Sequence, residues 1–169
     1  MSQIHVCPLS RVEEVVAASK AEALVSLLSP PAAAPRLKSI APGRHLVLGL
    51  ADIVAPLDGH VLPDAGHVES LLAFLRQWER RRPLVIHCYA GVSRSTAAAF
   101  ITLCALTPRP EIEIAQTLRL KSPTATPNRR LVALADEILS RQGRMVAAVD
   151  SIGRGADCFE GEVFWLDSV

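Results

Sequence analysis

The sequence has almost no net charge and no apolar run long enough to cross a bilayer. Its 169 residues carry 18 Lys and Arg against 17 Asp and Glu, a formal net charge of +1, which argues against a general polyanion-binding surface. The longest apolar run, residues 97–106, is about half of what a membrane-spanning helix needs. Residues 1–7 show no basic stretch followed by an apolar one, as a secretory signal would. We therefore expect a cytoplasmic protein with no nucleic-acid partner and no membrane partner.

Cysteine is sparse, and the cysteines present form no metal-binding or disulfide pattern. The four cysteines, Cys7, Cys88, Cys104 and Cys158, include no CxxC pair. This spacing predicts no metal site.

The order of helical and extended segments predicts a single α/β domain. Half of the residues are apolar, enough for one packed core and too many for a disordered chain. The patterns predict strands at about 4–7, 23–28, 45–50 and 84–87, and helices at about 9–20, 65–80, 95–106, 110–120, 127–141 and 145–152. This order predicts a central, largely parallel sheet flanked by helices. We expect one domain over residues 1–169, with a core at about 4–141 and an irregular tail at 153–169.

The segment that joins the fourth predicted strand to the next helix has the composition of an anion site. Its sequence is HCYAGVSRS, residues 87–95. A helix N-terminus offers unpaired N–H groups and the positive end of the helix dipole. Gly91 permits a tight turn, and Arg94 can hold two oxygens of one anion. The segment therefore predicts a phosphate cradle built from Tyr89, Ala90, Gly91, Val92, Ser93 and Arg94.

Cys88 lies at the entrance to this loop, where the sequence favours a reactive thiolate. Converging N–H groups and the Arg94 guanidinium stabilise a negative sulfur. A thiolate beneath a bound phosphoryl group is a nucleophile aimed in line. We expect Ser95 to donate a hydrogen bond to the sulfur, and the His87 ring to bond to backbone and orient Cys88.

The pattern His87-Cys88-x-x-Gly91-x-x-Arg94-Ser95 resembles the signature of the cysteine-based protein tyrosine phosphatases. Chain size and flanking segments are more similar to the compact dual-specificity branch, including small bacterial members, than to the large tyrosine-specific domains. The resemblance implies a three-layer phosphatase-like fold and a phosphate-monoester hydrolase with a phosphocysteine intermediate on Cys88. It implies no metal or other cofactor. The implied substrate is a phosphorylated protein or a small phosphate monoester.

Such an enzyme needs a general acid, and the sequence offers three aspartates ahead of the loop. Asp52 directly follows a predicted strand, and Pro56 stands four positions on, a spacing similar to the acid loop of the family. The Trp-Pro pair that precedes the acid in tyrosine-specific members is missing. Asp58 is therefore the alternative, although Asp58-Gly59 is typical of a turn. Asp64 precedes a helical pattern and is predicted to be an N-cap, as is Thr126 for the helix predicted to begin at Pro127.

Several alternatives stay open at this level. A phosphate-binding or phosphoprotein-binding module without turnover would need the loop but no acid. Either Cys7 or Cys104 is a candidate resolving thiol for oxidised Cys88, although packing roles are the first expectation. Arg129 and Arg130 are expected on a solvated helix face rather than at the substrate.

Overall fold

The computed structural model describes residues 2–168 and shows a five-stranded sheet between two layers of helices. The strands are β1 (Gln3–Pro8), β2 (Ala23–Leu28), β3 (His45–Gly49), β4 (Leu84–Cys88) and β5 (Phe164–Asp167). The helices are α1 (Val12–Ser19), α2 (Ala65–Gln77), α3 (Arg94–Leu106), α4 (Glu111–Lys121), α5 (Arg129–Ile138) and α6 (Arg144–Ile152). The strand order is β3-β2-β4-β1-β5, with all neighbours parallel except β1 and β5. The predicted α/β fold with a largely parallel sheet is confirmed.

The two central strands are apolar along their whole length because helices cover both of their faces. Every residue of β2 and β4 is buried, the pattern typical of parallel strands between helical layers. On one face, α1 closes a small apolar cluster that includes Cys7, Leu24 and Val85. The larger cluster on the other face includes Cys88 and residues from α2, α3, α4, α5 and α6. This arrangement is the expected three-layer architecture.

Helix α3 runs through the centre of the larger layer and fixes the phosphate loop. Residues 94–104 of this helix are all buried, so α3 is apolar around its circumference rather than along one stripe. It begins at Arg94, directly after the loop that leaves the carboxyl end of β4. A ligand site at the carboxyl ends of parallel strands is typical of open α/β sheets. The loop therefore stands between a fully buried strand and an almost fully buried helix.

The helix caps confirm one prediction and correct another. Asp64 caps α2, accepting a hydrogen bond from the His67 backbone N–H at 3.1 Å while the His67 ring accepts from the Asp64 backbone. The prediction that Thr126 caps a helix beginning at Pro127 is wrong. Asn128 caps α5, and its Oδ1 accepts from the Leu131 backbone N–H at 3.1 Å. Thr126 instead donates its hydroxyl to the Thr124 carbonyl, which holds it in the preceding turn.

The expected irregular tail at 153–169 is wrong for its last part. Residues 153–163 have no helix or strand, but Phe164–Asp167 forms β5 and pairs antiparallel with β1. Phe164 and Leu166 are buried while Trp165 and Asp167 point to solvent. Four alternating residues are too short a pattern to predict a strand without its remote partner. Among the described residues, no helix is long and apolar enough to span a membrane.

Candidate active site

The segment HCYAGVSRS forms the predicted strand–loop–helix unit, with Cys88 at its base. Cys88 ends β4 and is 2% exposed. Its Sγ lies 3.2 Å from Ser95 Oγ, and the Gly91 backbone N–H donates to the same sulfur at 3.3 Å. Both groups stabilise negative charge on sulfur. The predicted contact between Ser95 and Cys88 is thus present in the structure.

The carbonyl groups of the loop are turned outward and bonded to surrounding elements. Four of them accept backbone N–H bonds: Tyr89 from Leu9 at 3.0 Å, Ala90 from Gly161 at 2.8 Å, Val92 from Thr126 at 2.9 Å and Ser93 from Asn128 at 3.2 Å. In a trans peptide the C=O and the following N–H point in opposite directions. Outward carbonyls therefore turn the N–H groups of the following residues inward. Inward N–H groups of successive residues form the kind of backbone nest that binds anions.

Gly91 occupies a backbone position that no other residue could take without rearrangement. Its φ is +72°, in the left-handed region. A Cβ placed there would lie 2.7 Å from Pro8 N and 2.8 Å from the Cys7 carbonyl carbon. The loop is thus packed directly against the end of β1.

Arg94 is buried, and one edge of its guanidinium lacks a partner. It is 6% exposed, and its Nη1 donates to the Leu50 carbonyl at 2.9 Å and to Ser29 Oγ at 3.0 Å. The buried Nε has no hydrogen-bond partner among residues 2–168. A buried charged donor without an acceptor costs free energy unless an anion completes it. The bonds of Nη1 therefore orient the Arg94 guanidinium, and its Nε remains available to donate to an anion.

His87 is buried and neutral, and it contacts the nucleophile's own backbone. Its Nδ1 lies 3.3 Å from the Cys88 carbonyl oxygen, the backbone contact that the sequence predicted. Its Nε2 lies 2.6 Å from Ser26 Oγ. Burial lowers the pKa of His87 to about 4, with further lowering from nearby His45 and Arg94, against the opposing effect of the bond to Cys88. At neutral pH the ring therefore carries one proton.

Asp52 lies at the rim of the loop, where sequence analysis placed the general acid. Its Oδ1 accepts from Ser93 Oγ at 2.6 Å and from Asn128 Nδ2 at 2.8 Å. Asp58 is elsewhere, in an exposed turn closed by the bond from the His60 N–H to the Leu57 carbonyl. Of the two candidates, the structure brings Asp52 to the phosphate loop.

Three residues of this site were missed by the sequence analysis. Asn128 joins Asp52, the Ser93 carbonyl and the α5 N-terminus, and its preference for helix caps was the signal that could have found it. Ser26 and His45 contact each other at 2.8 Å beside His87. The sequence signal that could have found them is the single serine inside the otherwise apolar strand ALVSLL.

The side chains of the remaining basic and sulfur-containing candidates have other partners, although Arg129 also lines the cavity beside Asp52 and Ser93. Arg129 pairs with Asp150 at 2.9 Å, on an exposed surface, and Arg130 Nε donates to the Pro63 carbonyl. Cys7 and Cys88 belong to separate apolar clusters. Burial raises the pKa of both Cys7 and Cys104 to about 12, as expected of thiols packed in apolar clusters.

Comparison with known proteins agrees with this geometry. Residues 58–122 match the family model of the protein-tyrosine phosphatases, a range that contains β4, the phosphate loop and α3. None of the curated proteins matches the sequence.

The fold is similar to those of several solved phosphatases. Human DUSP28 superposes with a TM-score of 0.63 at 20% identity, over 82% of this chain and 94% of that one. DUSP15 gives 0.62 at 16% identity, over 88% and 90% of the two chains. The PTP-2 phosphatase of Cydia pomonella gives 0.62 at 22% identity, over 79% and 84%. The signature motif lies within the matched residues 58–122, and the fold of the whole chain is that of the dual-specificity and tyrosine phosphatases.

Proposed function

We propose that the protein hydrolyses phosphate monoesters through a phosphocysteine intermediate on Cys88. The observation that carries this proposal is the set of donors that the strand–loop–helix unit brings together around the Cys88 thiol. The Gly91 N–H donates to Cys88 Sγ, the outward carbonyls turn other loop N–H groups inward, and the buried Arg94 Nε lacks an acceptor among residues 2–168. A tetrahedral phosphoryl group satisfies all of these donors at once and stands in line with the sulfur.

The proposed reaction has two displacements at phosphorus. The Cys88 thiolate attacks, the S–P bond forms, and the ester P–O bond breaks as Asp52 gives its proton to the departing oxygen. The Asp52 carboxylate then takes a proton from water, whose oxygen attacks phosphorus and releases Cys88. Ser95 Oγ and the Gly91 N–H stabilise the sulfur as it leaves.

The contacts of Asp52 support its role as the general acid. Both hydrogen bonds, from Ser93 and Asn128, end on Oδ1. When the carboxyl group is protonated, the proton therefore resides on Oδ2. The side chain is exposed, so this oxygen is open to a bound ester. A binding module without turnover, the alternative function, would not need an acid held in this way.

The proposed substrate is a phosphorylated protein side chain or a small phosphate monoester. Beside Asp52 and Ser93 a cavity of about 490 Å³ opens, with Ile53, Val54 and Pro127 among its lining residues. This surface is largely apolar next to the phosphate loop. Residues 89–93 contain no cation, so the loop itself offers no contact for additional phosphate groups.

We also propose that residues 1–169 form one catalytic domain. The strand near the C-terminus, β5, pairs with the first strand, β1. Gly161, just before β5, bonds to the phosphate loop. Both ends of the described chain are therefore part of the same sheet.

The test is hydrolysis of para-nitrophenyl phosphate with and without a chelator, by wild type and by Cys88→Ser. We expect metal-independent turnover in wild type and none in Cys88→Ser, which should still bind vanadate because the loop donors remain. Cys158→Ser, at an exposed cysteine, is the matched control and should keep full activity. Turnover in Cys88→Ser, or wild type that binds vanadate but hydrolyses no aryl or peptide phosphate, would contradict the proposal.

A further inference from the structure

A chain of hydrogen bonds leads from the carbonyl group of Cys88 to the edge of the sheet. His87 Nδ1 lies 3.3 Å from the Cys88 carbonyl oxygen. His87 Nε2 lies 2.6 Å from Ser26 Oγ, which lies 2.8 Å from His45 Nε2. The chain thus crosses from β4 through β2 to β3. Ser26 and His87 are fully buried, whereas His45 is half-buried.

The chemistry of the partners fixes the direction of every bond in this chain. A carbonyl oxygen only accepts, so His87 Nδ1 must carry the proton. Because burial keeps the His87 ring neutral, its Nε2 is an acceptor and takes the Ser26 hydroxyl proton. The Ser26 oxygen is then free to accept, and His45 Nε2 must donate to it. One tautomer of each ring satisfies all three bonds.

This direction matters for the phosphate cradle. The bond from His87 holds the Cys88 carbonyl outward, and the Tyr89 N–H of the same peptide unit therefore points the opposite way. The other loop carbonyls are held by backbone N–H groups of Leu9, Gly161, Thr126 and Asn128. The Cys88 carbonyl contacts a side chain whose tautomer depends on its neighbours.

We propose that Ser26 and His45 are positioning residues for the nucleophile. They hold His87 in the tautomer that donates to the Cys88 carbonyl, which keeps the Tyr89 N–H directed toward the thiolate and the bound phosphoryl group. This inference rests on the proposed function, because it assigns roles within the same site. Neither residue touches the substrate; both act through His87.

The other charged and titratable groups near the chain are few in the described residues. Arg94 and Cys7 lie close enough to His87 and Cys88 to interact electrostatically. Around His45, a cavity of about 540 Å³ is also lined by Arg36 and Lys38. Arg44, the residue before His45, pairs with Glu22 at 3.0 Å.

The test compares variants that remove or keep the hydrogen bonds. Ser26→Ala removes the hydroxyl, and His45→Leu removes the donor to it. His45→Gln keeps a donor, because the glutamine amide nitrogen can reach the position of Nε2. His5→Leu is the matched control: His5 is a half-buried histidine on β1, beside Trp165, whose Nε2 has no partner among residues 2–168.

The main readout is the pH dependence of iodoacetamide labelling at Cys88, followed by mass spectrometry of the peptide that contains it. We expect Ser26→Ala to raise the pH midpoint of Cys88 labelling by roughly one unit, the shift that corresponds to the loss of one buried hydrogen bond. His45→Leu should raise it by less, and His45→Gln and His5→Leu should match wild type. The acidic limb of the kcat/KM profile should move with the labelling midpoint.

Specific results would overturn the inference. The inference is wrong if folded Ser26→Ala or His45→Leu has the same labelling midpoint as wild type. It is also wrong if the midpoint of the His5→Leu control rises as much as that of these variants. A rise in His45→Gln as large as in His45→Leu would show a packing effect and also overturn it. If Ser26→Ala fails to fold, His45→Leu on the edge strand decides the question. Labelling of Cys88 does not require turnover. If wild type has no phosphatase activity, the proposed function is refuted, but the labelling experiment still tests the roles of Ser26 and His45.

Discussion

At the scale of single residues, Arg94 holds the anion site together from inside the protein. Its Nη1 is bonded to the Leu50 carbonyl and to Ser29 Oγ, while the buried Nε has no acceptor among the described residues. The side chain therefore does two tasks at once, since one edge anchors it to the ends of β2 and β3 and another edge is left for an oxyanion. Only a planar fork of donors can do both.

We expect Arg94→Lys to lose both affinity and turnover, although it keeps the charge. A lysine ammonium is a point charge and cannot bond to Leu50 and to two phosphate oxygens together. Loss of one charge-assisted hydrogen bond corresponds to about 1.5–3 kcal/mol, or roughly 10- to 100-fold in kcat/KM. Steady-state kinetics and vanadate titration would measure the two effects. Wild-type values for both would refute the phosphate cradle.

Asp52→Asn should reduce turnover most for esters with poor leaving groups. Removing a positioned proton donor typically costs roughly 10²–10⁴-fold, and activated aryl phosphates need less protonation of the departing oxygen. The dependence of kcat on leaving-group pKa across a series of aryl phosphates is the measurement.

Asp58→Asn is the matched control for this prediction, because Asp58 lies in an exposed turn of the same loop region. If Asp58→Asn acquired the leaving-group dependence and Asp52→Asn kept that of wild type, the general acid would be Asp58.

At the scale of elements, the phosphate loop is held by three separate parts of the chain. The segment that follows β1, the segment before α5 and the segment before β5 each donate backbone N–H groups to its carbonyls. These contacts join residues about 30 to 80 positions apart in the sequence. The geometry of the loop therefore depends on the packing of the whole domain, even though its sequence is local.

Gly161→Ala tests the contact made by the segment before β5. A Cβ at this position would lie 2.9 Å from the Gly91 carbonyl oxygen and 3.3 Å from Val92 Cγ2, so either the loop or the segment must shift. We expect a loss of about 1–3 kcal/mol in the free energy of unfolding, as overpacking typically costs, and a several-fold fall in kcat/KM. Urea denaturation and steady-state kinetics measure both.

Gly43→Ala is the control for the effect of glycine replacement itself, since a Cβ there meets nothing within 4 Å. It should leave both quantities near wild type. Equal losses in the two variants would mean that the contact between Gly161 and the loop does not support the site.

The same distinction between local and remote contacts explains what the sequence could predict. The strand–loop–helix unit around Cys88 was predicted because its strand, its glycine and its arginine lie within 13 residues, 83–95. The Asp64 cap was predicted for the same reason. The strand β5 and the bonds of Asn128 to Asp52 and Ser93 depend on partners far along the chain, and no local pattern specifies them.

At the scale of the whole molecule, burial of neutral histidines couples the fold to pH. Three histidines on the sheet have a pKa below the ordinary value because of burial: His5, His45 and His87. His87 is the most affected, with a pKa of about 4 against 6.5 for an unperturbed imidazole. In the unfolded chain this ring takes up a proton as the pH falls below 6.5, whereas in the folded protein it does not until about pH 4.

The folded state therefore loses stability with acid through His87, and the window follows from the two values. The contribution of the neutral ring is fully present above pH 6.5 and is lost as the pH falls toward 4. For this shift, linkage gives a loss of about 2–3 kcal/mol by roughly pH 4.5.

We expect His87→Asn to be less stable than wild type near pH 7, because it loses the bond to Ser26, but to lose less stability on acidification. The free energy of unfolding of both proteins, measured by urea denaturation near pH 7 and at roughly pH 4.5, isolates the contribution of His87. All other titrating groups are the same in the two proteins. Parallel losses in wild type and His87→Asn would show that His87 is not a neutral buried base in the folded protein, and the direction assigned to its hydrogen bonds would then be wrong.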